Sequence, residues 1–383
     1  MSARLLRSHA FITFLWTRAA LIAVACVALL VPVHERLARE GASPLLHDLG
    51  RPLDLWARWD SVWYLTIAER GYHGAADTLA FWPLYPALVA LLGIVLFGHT
   101  LLAGVVISLG SLLVALILLE RLGTTLVGEP AARRAVLYLA LFPMSFFFGA
   151  VYSESLYLML AVVAFLAAER GRFGVVGVIC GLAILTRVAG IAMLPPLAVI
   201  AWRSRDRRRA LLSLAIAPVL AVLHLLVVWE ARGGVGDLLH AQALWQRHLS
   251  PAGPFGGIVH GIGKGWSTLS ELGDPGGPNL LWPSELLNVG FLVLFLALTV
   301  VAWRRVGAPY GLFAALSLAL PLSFPADPSP LLSLPRFGLV VFPFFLALGT
   351  LGQSRRVHLA IALVSGTCLV LATVEWVRWG WIA

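Results

Sequence analysis

The sequence predicts an all-α protein threaded repeatedly through a lipid bilayer. Three observations carry this. Of 383 residues, 60% are hydrophobic and 12% charged, whereas a soluble domain carries roughly a quarter charged residues. Apolar runs recur along the chain, and a spanning helix takes about 20 apolar residues. The basic residues sit in short clusters between those runs, the pattern that orients a membrane protein. The net charge of +9 is therefore read as a topology signal, and no nucleic-acid partner is expected.

The runs place spans near 11–33, 101–120, 134–151, 155–170, 174–187, 189–202, 209–230, 284–303, 308–323, 335–352 and 356–376, about 11 in all. The first follows Arg4 and Arg7, as a signal peptide would, but it exceeds an apolar core of roughly 7–15 residues. It is expected to be an uncleaved span. Cys26, Cys180 and Cys368 each lie inside an apolar run, which suits small packed residues and offers no metal spacing. The spans at 174–187 and 189–202 are short and are expected to form a partial hairpin turning near Arg187. The stretch 84–97 ends in Gly98-His99-Thr100 and is expected to lie in the interface or dip back.

With this count, Arg4/Arg7, Arg121/Arg133/Arg134, Arg170/Arg172, Arg203 to Arg209, Arg304/Arg305 and Arg355/Arg356 share one side. The positive-inside rule makes that side cytoplasmic. Two long loops, 34–80 and 231–283, then face outward, with a shorter one at 323–334. The second is rich in Gly and Pro and contains an amphipathic piece at 237–249. The whole chain, 1–383, reads as a single transmembrane domain without an internal repeat. A transporter or lipid flippase, the rival class, often shows such repeats.

The first loop holds the densest polar and aromatic cluster, running from Trp56 to Leu65. If helical, Trp56, Asp60, Trp63, Tyr64 and Ile67 share one face. A carboxylate among tryptophans is either a solvated member of an interfacial belt or a general base beside surfaces that suit a sugar. Asp54 and Asp60 do not form a D-x-D pair, so neither a metal nor a cofactor is expected.

The chain reads Arg58-Trp59-Asp60-Ser61, Tyr64-Leu65-Thr66-Ile67-Ala68, Gly71-Tyr72 and Phe81-Trp82-Pro83-Leu84-Tyr85-Pro86. This resembles the signature of the second mannosyltransferase of GPI-anchor assembly, the PIG-V family, and its bacterial relatives. Phe142-Pro143-Met144-Ser145, Tyr152-Ser153-Glu154-Ser155-Leu156, Leu185-Thr186-Arg187 and Leu334-Pro335-Arg336-Phe337 follow in order. The match thins out over 231–330.

The resemblance implies a GT-C glycosyltransferase in the cell membrane. Its donor would be a polyprenyl-phosphate sugar, with mannose the expected sugar. Its acceptor would be a hydroxyl on a glycolipid, glycan or protein, and its active site extracytoplasmic. The catalytic carboxylate maps to Asp60. Inverting transfer needs one base for the acceptor proton, and the leaving phosphate needs fixed donors. Arg58, Arg187 and Arg336 are the candidates, since arginine offers bidentate phosphate contacts. Arg58 and Arg336 could equally be interfacial anchors, and Arg187 half of a structural ion pair. Trp59, Trp63, Tyr64, Tyr152 and Glu154 are the substrate-binding candidates, although Glu154 could instead serve its helix N-terminus. Glu230, Arg232, Gln246 and Arg247 border the second loop without a distinguishing signal.

Overall fold

A computed structural model describes residues 8–30, 49–72, 76–232, 236, 241, 243, 245–270, 284–380 and 382. The amphipathic piece at 237–249 lies partly outside these residues. Among the described residues there is no β-strand, only an isolated bridge between Arg247 and Ala326. Among the described residues, five helices are long and apolar enough to cross a membrane: His9–Ala28, Thr100–Val127, Arg207–Leu226, Glu285–Val306 and Arg355–Val377. We call the first of these α1 and Thr100–Val127 α2. Shorter apolar helices pack among them, which makes a multi-pass membrane bundle. Leu84–Val95 has 12 residues and spans about 18 Å at helical rise, short of the roughly 30 Å hydrocarbon core.

The predicted spans break where proline dictates. The helix Glu129–Leu141 (α3) stops before Phe142, which takes φ −56° and ψ 141°, because Pro143 disfavours α geometry in the residue before it. The chain then runs through a 3₁₀ turn, Ser145–Phe148, to the helix Glu154–Glu169 (α4). The expected continuous span 134–151 is therefore half irregular, yet 142–158 is buried throughout. Arg18, inside α1, donates to the carbonyls of Ala140 at 2.8 Å and Ser145 at 2.9 Å. It thereby satisfies acceptors that the break leaves exposed. The expected span 335–352 splits likewise into Leu334–Leu339 (α5) and Phe342–Leu351, with Pro343 in the second helix's first turn. Between Phe173–Thr186 and the 3₁₀ turn Val188–Met193, Arg187 is fully extended at φ −155° and ψ 136°.

The second long loop contains a helix, Pro254–Ser270 (α6), that its Gly and Pro content concealed. Gly257, Gly261 and Gly265 recur at four-residue spacing, the small-residue seam by which membrane helices approach closely. A Cβ on Gly257 would sit 2.2 Å from the Leu322 carbonyl oxygen, and one on Gly261 would strike Leu331. Overpacking costs about 1–3 kcal/mol. Gly257→Ala is accordingly expected to lower the thermal midpoint of the purified protein, whereas Gly263→Ala, whose Cβ meets nothing, should leave it unchanged. Equal midpoints for the two variants would mean that α6 does not dock through this seam.

Candidate active site

The signature block does not form one helix. The helix Ser61–Arg70 (α7) begins after Asp60, and Trp56 lies outside it, so the expected shared face excludes Trp56. Ahead of α7, Trp59 adopts φ 53°, a left-handed turn that costs an L-residue about 1–2 kcal/mol. Tyr152 holds this turn. Its hydroxyl donates to the Arg58 carbonyl at 3.0 Å and accepts from the Asp60 amide at 3.1 Å. The irregular chain 142–153 thus delivers Tyr152 against the turn that aims Asp60.

Four residues from four distant stretches then converge. Arg336, in α5, donates from Nη1 to Asp60 Oδ2 at 2.6 Å and from Nε to Glu154 Oε1 at 2.6 Å. Arg187, at its extended break, donates from Nη1 to Glu154 Oε1 at 2.6 Å and to Ser153 Oγ at 3.2 Å. Glu154 is 0% exposed. Its Oε1 bridges two guanidiniums and its Oε2 has no hydrogen-bond partner, so the side chain does not cap the N-terminus of α4. Tyr64 and Ser153 share a hydrogen bond of 2.8 Å. The Arg336 guanidinium lies 4.5 Å from the Tyr152 ring centroid and 5.0 Å from that of Phe147. Two carboxylates face two guanidiniums, so the network is internally neutral. Burial pushes the Tyr64 hydroxyl up to about 12 and also raises Tyr152, with Glu154 and Asp60 respectively adding to the effect. Both phenols therefore stay protonated at neutral pH, leaving the carboxylates as the bases available.

Asp60, Tyr64, Tyr152, Glu154, Arg187 and Arg336 thus meet, while Arg58, Trp59 and Trp63 stand aside. The Arg58 guanidinium donates to the Asp54 carbonyl at 2.7 Å, pairs with its carboxylate at 3.3 Å and lies 4.2 Å from the Trp379 ring. Trp59 packs edge-on to the same Trp379, and Trp63 stacks on Phe81. Trp376, fully buried, donates from Nε1 to the Leu55 carbonyl at 2.9 Å and so ties the last helix to the first loop.

Arg247, on the border of the second loop, stands out here more than its sequence context suggested. It donates to the carbonyls of Phe324 at 3.1 Å and Leu332 at 3.0 Å, and it lies 5.2 Å from the ring of Phe337, the residue after Arg336. Burial pulls its guanidinium down to about 10; Arg336 adds to this and Asp60 opposes it. Trp245 packs on Phe81, bringing the second loop onto the signature of the first. A cavity of about 590 Å³ lies elsewhere, lined by Glu169, Arg203, Arg205 and Tyr310. Glu169 is fifteen residues along α4 from Glu154, roughly 22 Å at helical rise, so this cavity is remote from the carboxylates. Among the described residues no group of three or more His, Cys, Asp or Glu converges as a metal site would require.

The bundle has the fold of the GT-C membrane glycosyltransferases. It is similar to ArnT from Cupriavidus metallidurans, solved bound to undecaprenyl phosphate. The two share 13% identity and a TM-score of 0.50 over 95% of this chain and 76% of that one. A looser likeness, at 15% identity and a TM-score of 0.40, is to an Archaeoglobus fulgidus oligosaccharyltransferase, covering 95% of this chain and 55% of that one. No curated protein sequence matches. The chain belongs to the mannosyltransferase (PIG-V) family, whose model matches residues 5–225, and it is a glycosyltransferase. That stretch includes Asp60, Glu154 and Arg187; Arg336 and Arg247 lie beyond it.

Proposed function

We propose that the protein transfers mannose from a polyprenyl-phosphate donor to an acceptor hydroxyl, with inversion, on the extracytoplasmic face of the cell membrane. One observation carries the reading: a loop carboxylate, Asp60, is paired at 2.6 Å with an arginine that is itself buried. In the reaction the acceptor oxygen attacks the sugar C1, the bond from C1 to the phosphate oxygen breaks, and that oxygen keeps the electron pair. Asp60 takes the acceptor proton. Negative charge thus disappears from Asp60 as it appears on the leaving phosphate. Arg336, released from Asp60, can follow that charge, and the remaining N–H donors of Arg187 and Arg336 can meet the phosphate oxygens. Tyr64 and Tyr152, beside Asp60, supply aromatic surface for the sugar, while Trp59 and Trp63, packed on Trp379 and Phe81, lie further from it. Arg58, committed to Asp54 and Trp379, is the weakest of the three phosphate candidates. The family match and the fold support sugar transfer. The membrane-embedded bundle supports a lipid-soluble donor, which can enter sideways from the bilayer.

Two measurements test this. Purified protein in lipid should consume polyprenyl-phosphate mannose and leave GDP-mannose untouched; the reverse preference would reject the donor. For the side, a cysteine replacing exposed Ala252, in a variant with Cys26, Cys180 and Cys368 substituted, should react with an impermeant maleimide in intact spheroplasts. A cysteine replacing Arg205 should react only after lysis. The opposite pattern would put the site on the cytoplasmic face.

A further inference from the structure

The central network balances its own charge: Asp60 and Glu154 against Arg187 and Arg336. A phosphate entering this site brings negative charge that the four residues do not neutralise while Asp60 is ionised. Arg247 is a cation of a different kind. Its two terminal nitrogens donate to backbone carbonyls, and among the described residues no carboxylate pairs with it. A partly buried cation without a counter-ion is costly, and an anion bound beside it relieves that cost. Its position is fixed from both sides. The loop after Trp245 is laced to 323–327 by backbone bonds from His248 to Pro325, Ser250 to Ser323 and Asp327 to Gln246. The guanidinium itself lies over Phe337 in the helix that presents Arg336.

We propose that Arg247 supplies the net positive charge that binds the carrier phosphate, with Arg187 and Arg336 providing directed N–H donors around it. This rests on the polyprenyl-phosphate reading above and assigns within it a role that no residue of the neutral network can fill. It also gives the second long loop a function, since that loop delivers the charge. Arg247 is a binding residue here and takes no part in proton transfer.

Arg247 could instead merely pin the 324–332 loop through its two carbonyl contacts, so the test must separate charge from scaffolding. Wild type, Arg247→Gln and Arg247→Lys are placed in phosphatidylcholine nanodiscs, and the binding of undecaprenyl phosphate and of uncharged undecaprenol is measured by native mass spectrometry. Wild type should prefer the phosphate. Arg247→Gln should weaken phosphate binding by roughly 10–100-fold, the scale of a lost charge-assisted hydrogen bond, and leave undecaprenol binding unchanged. Arg247→Lys should recover part of the loss, keeping the charge without the planar fork. Equal losses for both lipids in Arg247→Gln would make the residue a loop pin and overturn the inference, as would undiminished phosphate binding. Displacement of undecaprenyl phosphate by an equal mole fraction of phosphatidylglycerol would overturn it too, marking a general phospholipid contact. A wild type that does not distinguish the phosphate from the alcohol would instead reject the donor reading itself.

Discussion

Asp60→Asn is expected to abolish sugar transfer while leaving the protein folded. The substitution removes the group that accepts the acceptor proton, and general-base catalysis contributes typically ~10²–10⁴-fold. Asparagine keeps the size of the side chain and can still accept from Arg336 through its amide oxygen, and the site is 12% exposed, so water can share the load. The rate should fall by about that factor at saturating donor, with little change in thermal midpoint. Because Tyr64 and Tyr152 stay protonated, neither can substitute as base at neutral pH. Transfer within threefold of wild type would remove Asp60 from the mechanism.

Glu154→Gln is expected to act mainly on stability. Glu154 bridges Arg187 and Arg336 with one oxygen at 2.6 Å to each and has no contact with solvent. Neutralising it leaves two guanidiniums around an uncharged amide, and breaking a buried pair in this way costs about 3–5 kcal/mol. Arg187→Gln, which removes one of the stranded charges, should be partly compensated when combined with Glu154→Gln, so the double variant should melt above the sum of the two single losses. Strict additivity, or an unchanged midpoint with lost activity, would assign Glu154 to the chemistry instead. The measurement is thermal unfolding of the purified variants in the same detergent or nanodisc.

The contrast between these two carboxylates shows what the sequence could convey. Asp60 stood out because its neighbours form a dense local signature, legible without any three-dimensional knowledge. Glu154 looked equally suited to a helix N-terminus, because its partners come from Arg187 and Arg336, 33 and 182 residues away. Bilayer-length apolar runs disclosed the helical class, since lipid forces the backbone into helices. They hid the breaks at Phe142 and Val340, which do not interrupt hydrophobicity, whereas the break at Arg187 is legible as a charge between two short apolar runs. Those breaks nevertheless set the site: one frees the chain that carries Tyr152, another turns Arg187 inward. Trp59 neighbours Asp60 and Trp63 shares its expected helical face, but their rings pack on Trp379 and Phe81. Arg247 is indistinguishable in sequence from other loop arginines, because nothing local to it reveals that its partners are the carbonyls of Phe324 and Leu332. Arg18 sits within an apolar run that gives no sign of its partners, carbonyls more than 120 residues away.

The central claim is that a polyprenyl-phosphate sugar reacts between Asp60 and the arginines, and a density map tests it most directly. The Asp60→Asn variant, expected to bind donor without turning it over, would be imaged in nanodiscs with polyprenyl-phosphate mannose. The account predicts the sugar against the side chain at position 60, with Tyr64 and Tyr152 beside it, and the phosphate within hydrogen-bond reach of Arg336 and Arg247. Phosphate density at Arg203 and Arg205, at the far end of α4, or at no arginine of the Asp60 cluster, would contradict it.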